Sequence, residues 1–353
     1  MTASTLPMLP QADLDHLFAG LSEIDWGFFA EKRIFITGGS GFLGKWLLSA
    51  LLDTDRRMSL NCQIELLTRS PQAFAEAIPQ LARAKNVTLR QGDVRTFAFP
   101  SDPFDIVIHG ATDVAIQNSP IETFSTCVEG TKHILDFSRI CGAKDFLLTS
   151  SGAVYGRHPF TAGGLSEDYS GGPDPTLATS AYGEGKRVSE WLACAHAAET
   201  GLRVKIARIY AQVGPYLPLD KHFAIGNFIN DVLADREIVI RGDGTPVRSY
   251  LHAADTTRCL LAMLVRGAPG RAWNVGSEVG LSICELAERV ANLLGSRRGI
   301  QVLTKVDPNC TAEYYVPNID RAKKELKLST PIMIDNAIIR TAQWIIESNL
   351  VKK

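Results

Sequence analysis

The sequence predicts an α/β fold, a doubly wound parallel sheet followed by a smaller C-terminal region that walls a cleft. Short apolar runs alternate with segments of helical periodicity from Arg33 to Tyr210. Strands alternating with helices in this way build βαβ units and a parallel sheet covered on both faces. Past Tyr210, glycines and prolines interrupt the rhythm, which marks a change of architecture.

The elements follow in order. Residues 1–31 hold a polar lead and the amphipathic piece LDHLFAGLSEIDWGFF, an arm expected to pack on the main body. RIFIT, QIELLT, VTLRQ, FDIVIHG, DFLLTS and VKIARIY read as strands, and FLGKWLLSALL and FAEAIPQLARA as helices between the first three. Further helices are predicted at about 121–141 and from Tyr182 to Thr200. The stretch from Gln212 to His252 mixes one helix with short strands, and helices near 282–295 and 333–348 complete the tail. No internal repeat or low-complexity segment interrupts this order.

With 353 residues, 45% hydrophobic and 21% charged, the chain can bury a sizeable core. A net charge of −1 and the absence of any long like-charge run argue against nucleic acid or an anionic membrane as partners. Seven scattered cysteines without a C-x-x-C pair suit free thiols in a reducing compartment, with no metal site expected. The N-terminus lacks a basic-then-apolar leader, and no run approaches the roughly 18 apolar residues of a membrane span. A cytoplasmic protein is expected.

RIFITGGSGFLGKWLL sets Gly38, Gly41 and Gly44 between a strand and a helix, with Phe42 and Leu43 inside the turn. Glycines there allow a tight turn and close approach of backbone amides to a pyrophosphate, which the helix N-terminus also favours. This is a Rossmann-type dinucleotide signature. The second strand ends in Thr68, Arg69 and Ser70 rather than in an acid that would hold a ribose 2′-hydroxyl. A guanidinium beside hydroxyls suits a 2′-phosphate, so NADP(H) is favoured over NAD, although a solvated loop arginine would read the same. Asp93 and Val94 are expected along the adenine side of the cofactor.

SAYGEGKRVSEW places Tyr182 and Lys186 on one face of a helix start. A phenol ordinarily titrates near pKa ~10, so base chemistry needs a fixed cation beside it, and Lys186 can supply one. Thr149, Ser150 and Ser151 end the preceding strand in hydroxyls. A Tyr and a Lys at helical spacing are also common as a mere surface pair.

Taken together, Thr37–Gly44, Ser151 and the Tyr182/Lys186 pair resemble the extended short-chain dehydrogenase/reductase family, within it the nucleotide-sugar epimerase/dehydratase group. RGDGTPVRSYLHAADTTR resembles the group's segment whose arginine, here Arg248, binds the substrate diphosphate, and IGNFI its NFI stretch, which puts Asn227 near the same phosphates. A buried ion pair is the alternative reading of Arg248. The resemblance implies an NAD(P)-binding domain at 32–210, with 247–265 returning to it, and a substrate-binding region at 211–246 and 266–353. It implies a nucleoside-diphosphate sugar bound near Ser150, Ser151 and Gly152, and a homodimer through two helices of the large domain.

The implied chemistry starts with Tyr182 removing a proton from a sugar hydroxyl while Ser151 hydrogen-bonds the same oxygen, Lys186 assisting. Dehydratases of the group carry an Asp-Glu pair before V-Y-G, and decarboxylases keep the Glu. Gly152 and Ala153 stand there instead and cannot shuttle a proton. Their small size is expected to leave room for a 4-keto sugar to turn over. A 4-epimerase is therefore expected, with an NADPH-dependent 4-keto-sugar reductase, or a 4,6-dehydratase with an atypical acid/base, as alternatives. RIYAQVGP departs from the group's R-[YF]-F-N-V-Y-G-P at Ala211, where an Asn would contact substrate, and CVEGT carries Cys127 in place of another Asn.

Overall fold

The computed structural model describes residues 5–112, 119–158, 162–221, 223–307, 311–328 and 330–351. Cys310 and residues 159–161, in the loop before Tyr182, lie outside these; the six described cysteines are free thiols. Seven strands form one parallel sheet: β1 Arg33–Thr37, β2 Gln63–Thr68, β3 Val87–Gln91, β4 Ile106–His109, β5 Asp145–Ser151, β6 Arg203–Ile209 and β7 Arg271–Val275. Their spatial order is 3-2-1-4-5-6-7. The order reverses between β1 and β4, which opens a crevice at the carboxyl ends of the strands, where open α/β sheets take ligands.

The longer helices are α1 Gln11–Ala19, α2 Phe42–Met58, α3 Pro120–Ile140, α4 Ala181–Thr200, α5 Ala224–Leu233, α6 Ala253–Arg266, α7 Ile283–Leu294 and α8 Ile334–Glu347. Strand side chains alternate in direction, so each strand feeds two cores. Ile34, Ile36, Ile64, Leu66, Ile106, Ile108 and Leu147 meet Leu47, Leu48 and Leu51 of α2 and Leu260, Leu261 and Leu264 of α6. On the other face Phe35, Val107, Phe146, Leu148 and Val204 meet Ile134, Leu135 and Phe137 of α3 and Ala193 of α4. Each such side chain, fully buried, contributes about 1.5–3 kcal/mol. Among the described residues no helix is long and apolar enough to cross a membrane.

Two elements differ from the sequence reading. FAEAIPQLARA is two short helices, Pro71–Ala77 and Pro79–Ala82, because Pro79 offers no amide and holds Ile78 out of helical backbone. RAWNV, assigned with the substrate-binding region, is instead the seventh strand of the main sheet, pairing with β6. Its Trp273 and Val275 are buried, but a five-residue strand far from the others carries no periodic signal of its own.

The N-terminal segment packs on α6 and α8. Trp26 and Phe29 are fully buried, Arg266 of α6 donates to both oxygens of Asp25, and Arg340 of α8 donates to Asp13 at 2.6 Å. Two imidazoles are buried in the same body. His109 sits between Thr37 Oγ1 at 2.8 Å and Thr131 Oγ1 at 3.2 Å. His252 accepts from the Ala254 amide and lies edge-on to Trp46. Burial pushes His109 down to about 3 and His252 down to about 4.

Both rings are neutral in the folded chain yet take up protons below their ordinary value once unfolded. Their contribution is complete above about pH 6.5 and is lost as the pH falls toward their folded values. Urea unfolding should therefore show stability falling between pH 6 and pH 5 by up to about 1.4 kcal/mol per pH unit for each ring. A flat profile over that interval would contradict the neutral assignment.

Candidate active site

A cavity of about 770 Å³ follows the crevice at the carboxyl ends of the strands. Its floor at one end is the glycine-rich turn. Gly38 has φ +73°, the left-handed region, and a Cβ there would fall 2.4 Å from the backbone of Gly110, so only glycine fits between β1 and the end of β4. Thr37 Oγ1 accepts from the amides of Gly110 and Ala111 at 3.2 Å each and locks that loop. Helix α2 starts at Phe42 with Gly41 as its N-cap, where no side chain covers the first amides. Gly38, Gly41, Phe42, Leu43 and Gly44 all line the cavity. Uncovered helix-terminal amides beside a glycine cradle are the donor set that a diphosphate requires, so these residues fit a dinucleotide.

Beyond the turn, Thr68 and Arg69 line the wall and Ser70 does not. The chain turns away at Pro71, and Ser70 Oγ instead caps the next helix by accepting from the Ala73 amide. Glu65, inside β2, is ion-paired with Arg90 and is not in the wall. Asp93 and Val94 line it as expected. The Arg95 guanidinium holds the Asp93 carboxyl below its ordinary range and reaches Glu122 at 2.7 Å, with Arg69 acting on Asp93 in the same direction.

At the other end β5 passes into a 3₁₀ turn, Gly152–Tyr155, and Ser151 Oγ accepts from the Ala153 amide at 3.1 Å. Ser151, Tyr182 and Lys186 converge on the cavity, where the Ser151 hydroxyl acts on the Tyr182 phenol. Lys186 is buried. Its Nζ donates to Thr112 Oγ1 at 2.7 Å and to the Thr149 carbonyl at 2.8 Å, and it stands 5.9 Å from the centre of the Tyr182 ring. Burial pushes the Tyr182 phenol above its ordinary value, opposed by the Ser151 hydroxyl, and pushes the Lys186 ammonium down. The Lys186 ammonium is held by two oxygens, and for both groups desolvation is the largest influence.

Three expected substrate contacts are also revised. Ser150 backs the cavity, but its hydroxyl donates to Glu190 at 2.5 Å. Gly152 is not in the wall, and the space above it is not free for a turning sugar. A Cβ there would lie 2.6 Å from both Tyr210 Cζ and Tyr315 Oη, so the two rings fill what the glycine leaves. Asn227 lies within α5 and off the wall, whereas Lys221 and Phe223, before that helix, line it. Arg248 does line the cavity, ion-paired with Glu313 at 2.8 Å.

Sequence reasoning missed Thr112 and the Thr149 carbonyl as holders of Lys186, and Tyr210 and Tyr315 as wall residues. The Tyr-Tyr doublet at 314–315 is a visible signal. Nothing local says that this strand of two residues will pair beside Arg248 and bring the Tyr315 hydroxyl within 3.5 Å of Ser151 Oγ.

The profile of the NAD dependent epimerase/dehydratase family matches residues 34–276. Among curated relatives, UDP-glucuronic acid decarboxylase 1 of Arabidopsis thaliana is 28% identical over 314 residues, covering 87% of this chain and 68% of that protein. The Danio rerio protein of the same name is 27% identical over 319 residues, covering 89% and 72%. Among solved structures, UDP-glucose 4-epimerase of Thermotoga maritima with UDP-glucose has a TM-score of 0.76 at 19% identity, covering 90% of this chain and 99% of that one. A dTDP-glucose 4,6-dehydratase of Streptomyces venezuelae with NAD bound has a TM-score of 0.75 at 23% identity, covering 89% and 97%. At such identities the structures speak for the fold. The profile match, spanning more than half of the chain, decides the family: the protein is an enzyme of the NAD-dependent epimerase/dehydratase family, built on the short-chain dehydrogenase/reductase form of the Rossmann fold.

Proposed function

We propose that the protein is an NAD(P)-dependent nucleotide-sugar 4-epimerase working through a transient 4-keto sugar. One observation carries this reading. Among the described residues of the cavity wall the carboxylates are Asp93 and Glu122, both bound by Arg95, and neither is at the Ser151–Tyr182 end. A chemistry that eliminates water, or that re-protonates a ring carbon after decarboxylation, needs an acid there, and Ala153 takes its place. The two curated relatives described above are named decarboxylases.

The residues divide the work. Tyr182 accepts the proton of the sugar hydroxyl, and after the keto sugar has turned over it returns that proton to the same oxygen. Ser151 donates to this oxygen as charge develops on it. A bound oxidised dinucleotide supplies the hydride acceptor and a positive charge that favours the phenolate. Lys186, fixed by Thr112 and Thr149, adds a second positive charge beneath the ring. Arg248 presents a planar fork to the diphosphate. The substrate lies between the dinucleotide-binding part, 32–210 with 247–265, and the remaining wall, to which Lys221 and Tyr315 belong.

Arg69 at the end of β2 favours NADP(H), and with it a second reading as a reductase of nucleotide-4-keto sugars. For assembly we infer a homodimer across α3 and α4. Ile121 and Trp191 are 82% and 67% exposed there, with Ile140 also exposed.

Three outcomes are expected. Tyr182→Phe should lower turnover of whichever UDP-, dTDP-, CDP- or GDP-sugar the wild type converts by about 10²-fold or more, and a loss within about tenfold would remove Tyr182 as the base. Arg69→Ala should weaken NADPH binding by about tenfold while sparing NADH, a pattern that fluorescence titration separates. Release of tightly bound NAD+ from denatured wild type would instead support the epimerase and refute the NADP preference. Trp191→Lys should sediment as a monomer; an unchanged mass would place the subunit contact elsewhere.

A further inference from the structure

Tyr315 reaches the reaction end of the cavity from a segment far along the chain. The two-residue strand Tyr314–Tyr315 pairs with Val247–Ser249, which sets Tyr315 beside Arg248. Both flanks of this strand are pinned: the Val247 amide donates to the Glu313 carbonyl at 2.8 Å, and the Leu165 amide to the Val316 carbonyl at 3.1 Å. The Tyr315 ring packs on Tyr210 with centroids 4.4 Å apart, and the Arg248 guanidinium lies 5.5 Å from its centre. Tyr315, Arg248 and Ser151 all line the cavity, and Tyr315 Oη stands 3.5 Å from Ser151 Oγ.

Phenylalanine would make the same ring contacts, so packing alone does not explain the hydroxyl. Gly152 leaves the space for it, since a Cβ there would lie 2.6 Å from Tyr315 Oη. The bond to Ser151 decides how the serine can act. A serine hydroxyl has one proton and two lone pairs. The Ala153 amide donates to Ser151 Oγ at 3.1 Å and occupies one lone pair. A Ser151 proton given to Tyr315 would be spent inside the wall, with none left for a substrate oxygen. With Tyr315 as the donor, both lone pairs are occupied and the Ser151 proton is left for the cavity, where Tyr182 also stands. Burial pushes the Tyr315 phenol up to about 12, so it keeps its proton throughout the physiological range. Hydrogen bonds in empty active sites are often long and tighten when substrate binds, which a contact of 3.5 Å allows.

We propose that Tyr315 is a positioning residue for the reaction, whose hydroxyl donates to Ser151 Oγ and thereby turns the serine's only proton toward the reacting oxygen of the substrate. The inference rests on the nucleotide-sugar reading and deepens it by one residue that acts through Ser151. A donor oriented in advance costs no reorganisation as charge develops on that oxygen, so the effect belongs to turnover and not to binding.

Tyr315→Phe keeps the ring and removes the hydroxyl. Product analysis over a panel of UDP-, dTDP-, CDP- and GDP-sugars identifies the substrate that the wild type converts and also resolves slow variants. With that substrate, Tyr315→Phe should lower kcat about tenfold, leave KM within about twofold, and bind the free nucleoside diphosphate as the wild type does. In a Ser151→Ala background the same substitution should cost less than about twofold, because the group it orients is gone. An unchanged kcat in Tyr315→Phe, a loss confined to KM, a marked drop in melting temperature, or a further tenfold loss in the Ser151→Ala background would each overturn the assignment. If the wild type converts no member of the panel, the nucleotide-sugar reading fails first; if it converts one and Tyr315→Phe is equally fast, only the role of Tyr315 falls.

Discussion

Beneath the reaction centre lies a charge pair on which its geometry depends, Arg208 of β6 with Glu190 of α4. The guanidinium donates to both carboxylate oxygens, at 2.7–3.2 Å, and also to the Tyr155 hydroxyl at 2.9 Å. Tyr155 in turn donates to Asn274 Oδ1 of β7 at 2.7 Å, while Ser150 of β5 donates to Glu190. One network thus ties β5, β6, β7, the turn after Ser151 and the helix bearing Tyr182 and Lys186. Breaking such a pair from one side leaves a buried charge uncompensated, typically at about 3–5 kcal/mol. Ser151 is therefore held both by its own bond from the Ala153 amide and, through Ser150, by this network.

The same arrangement explains why desolvation dominates the electrostatics. Seven parallel strands covered on both faces leave little water at their carboxyl ends except in the cavity itself. The Tyr182 phenol is held above its ordinary value, and Lys186 below its own, because charge on either is poorly solvated there.

Legibility in the sequence followed the range of the interactions involved. The glycine turn, the Tyr-Lys spacing and the first six strands are local patterns, and the structure has them where the sequence placed them. Ser70 was expected beside the cofactor, but its hydroxyl caps the helix that starts at Pro71. Gly152 read as empty space because its neighbours are 58 and 163 residues away in sequence, in Tyr210 and Tyr315. Asn227 belongs to a motif that forms a helix as expected, yet that helix turns the residue from the wall.

By itself the sequence determined the doubly wound fold, the dinucleotide turn, the family resemblance and the trio Ser151, Tyr182 and Lys186, since each rests on residue types at short, fixed spacings. Only the tertiary structure decided which hydroxyls reach the cavity, what fills the place of the missing carboxylate, and that RAWNV extends the main sheet. Those outcomes depend on contacts between segments far apart in the chain, and the volume left by one glycine has no meaning until the rings that occupy it are in place.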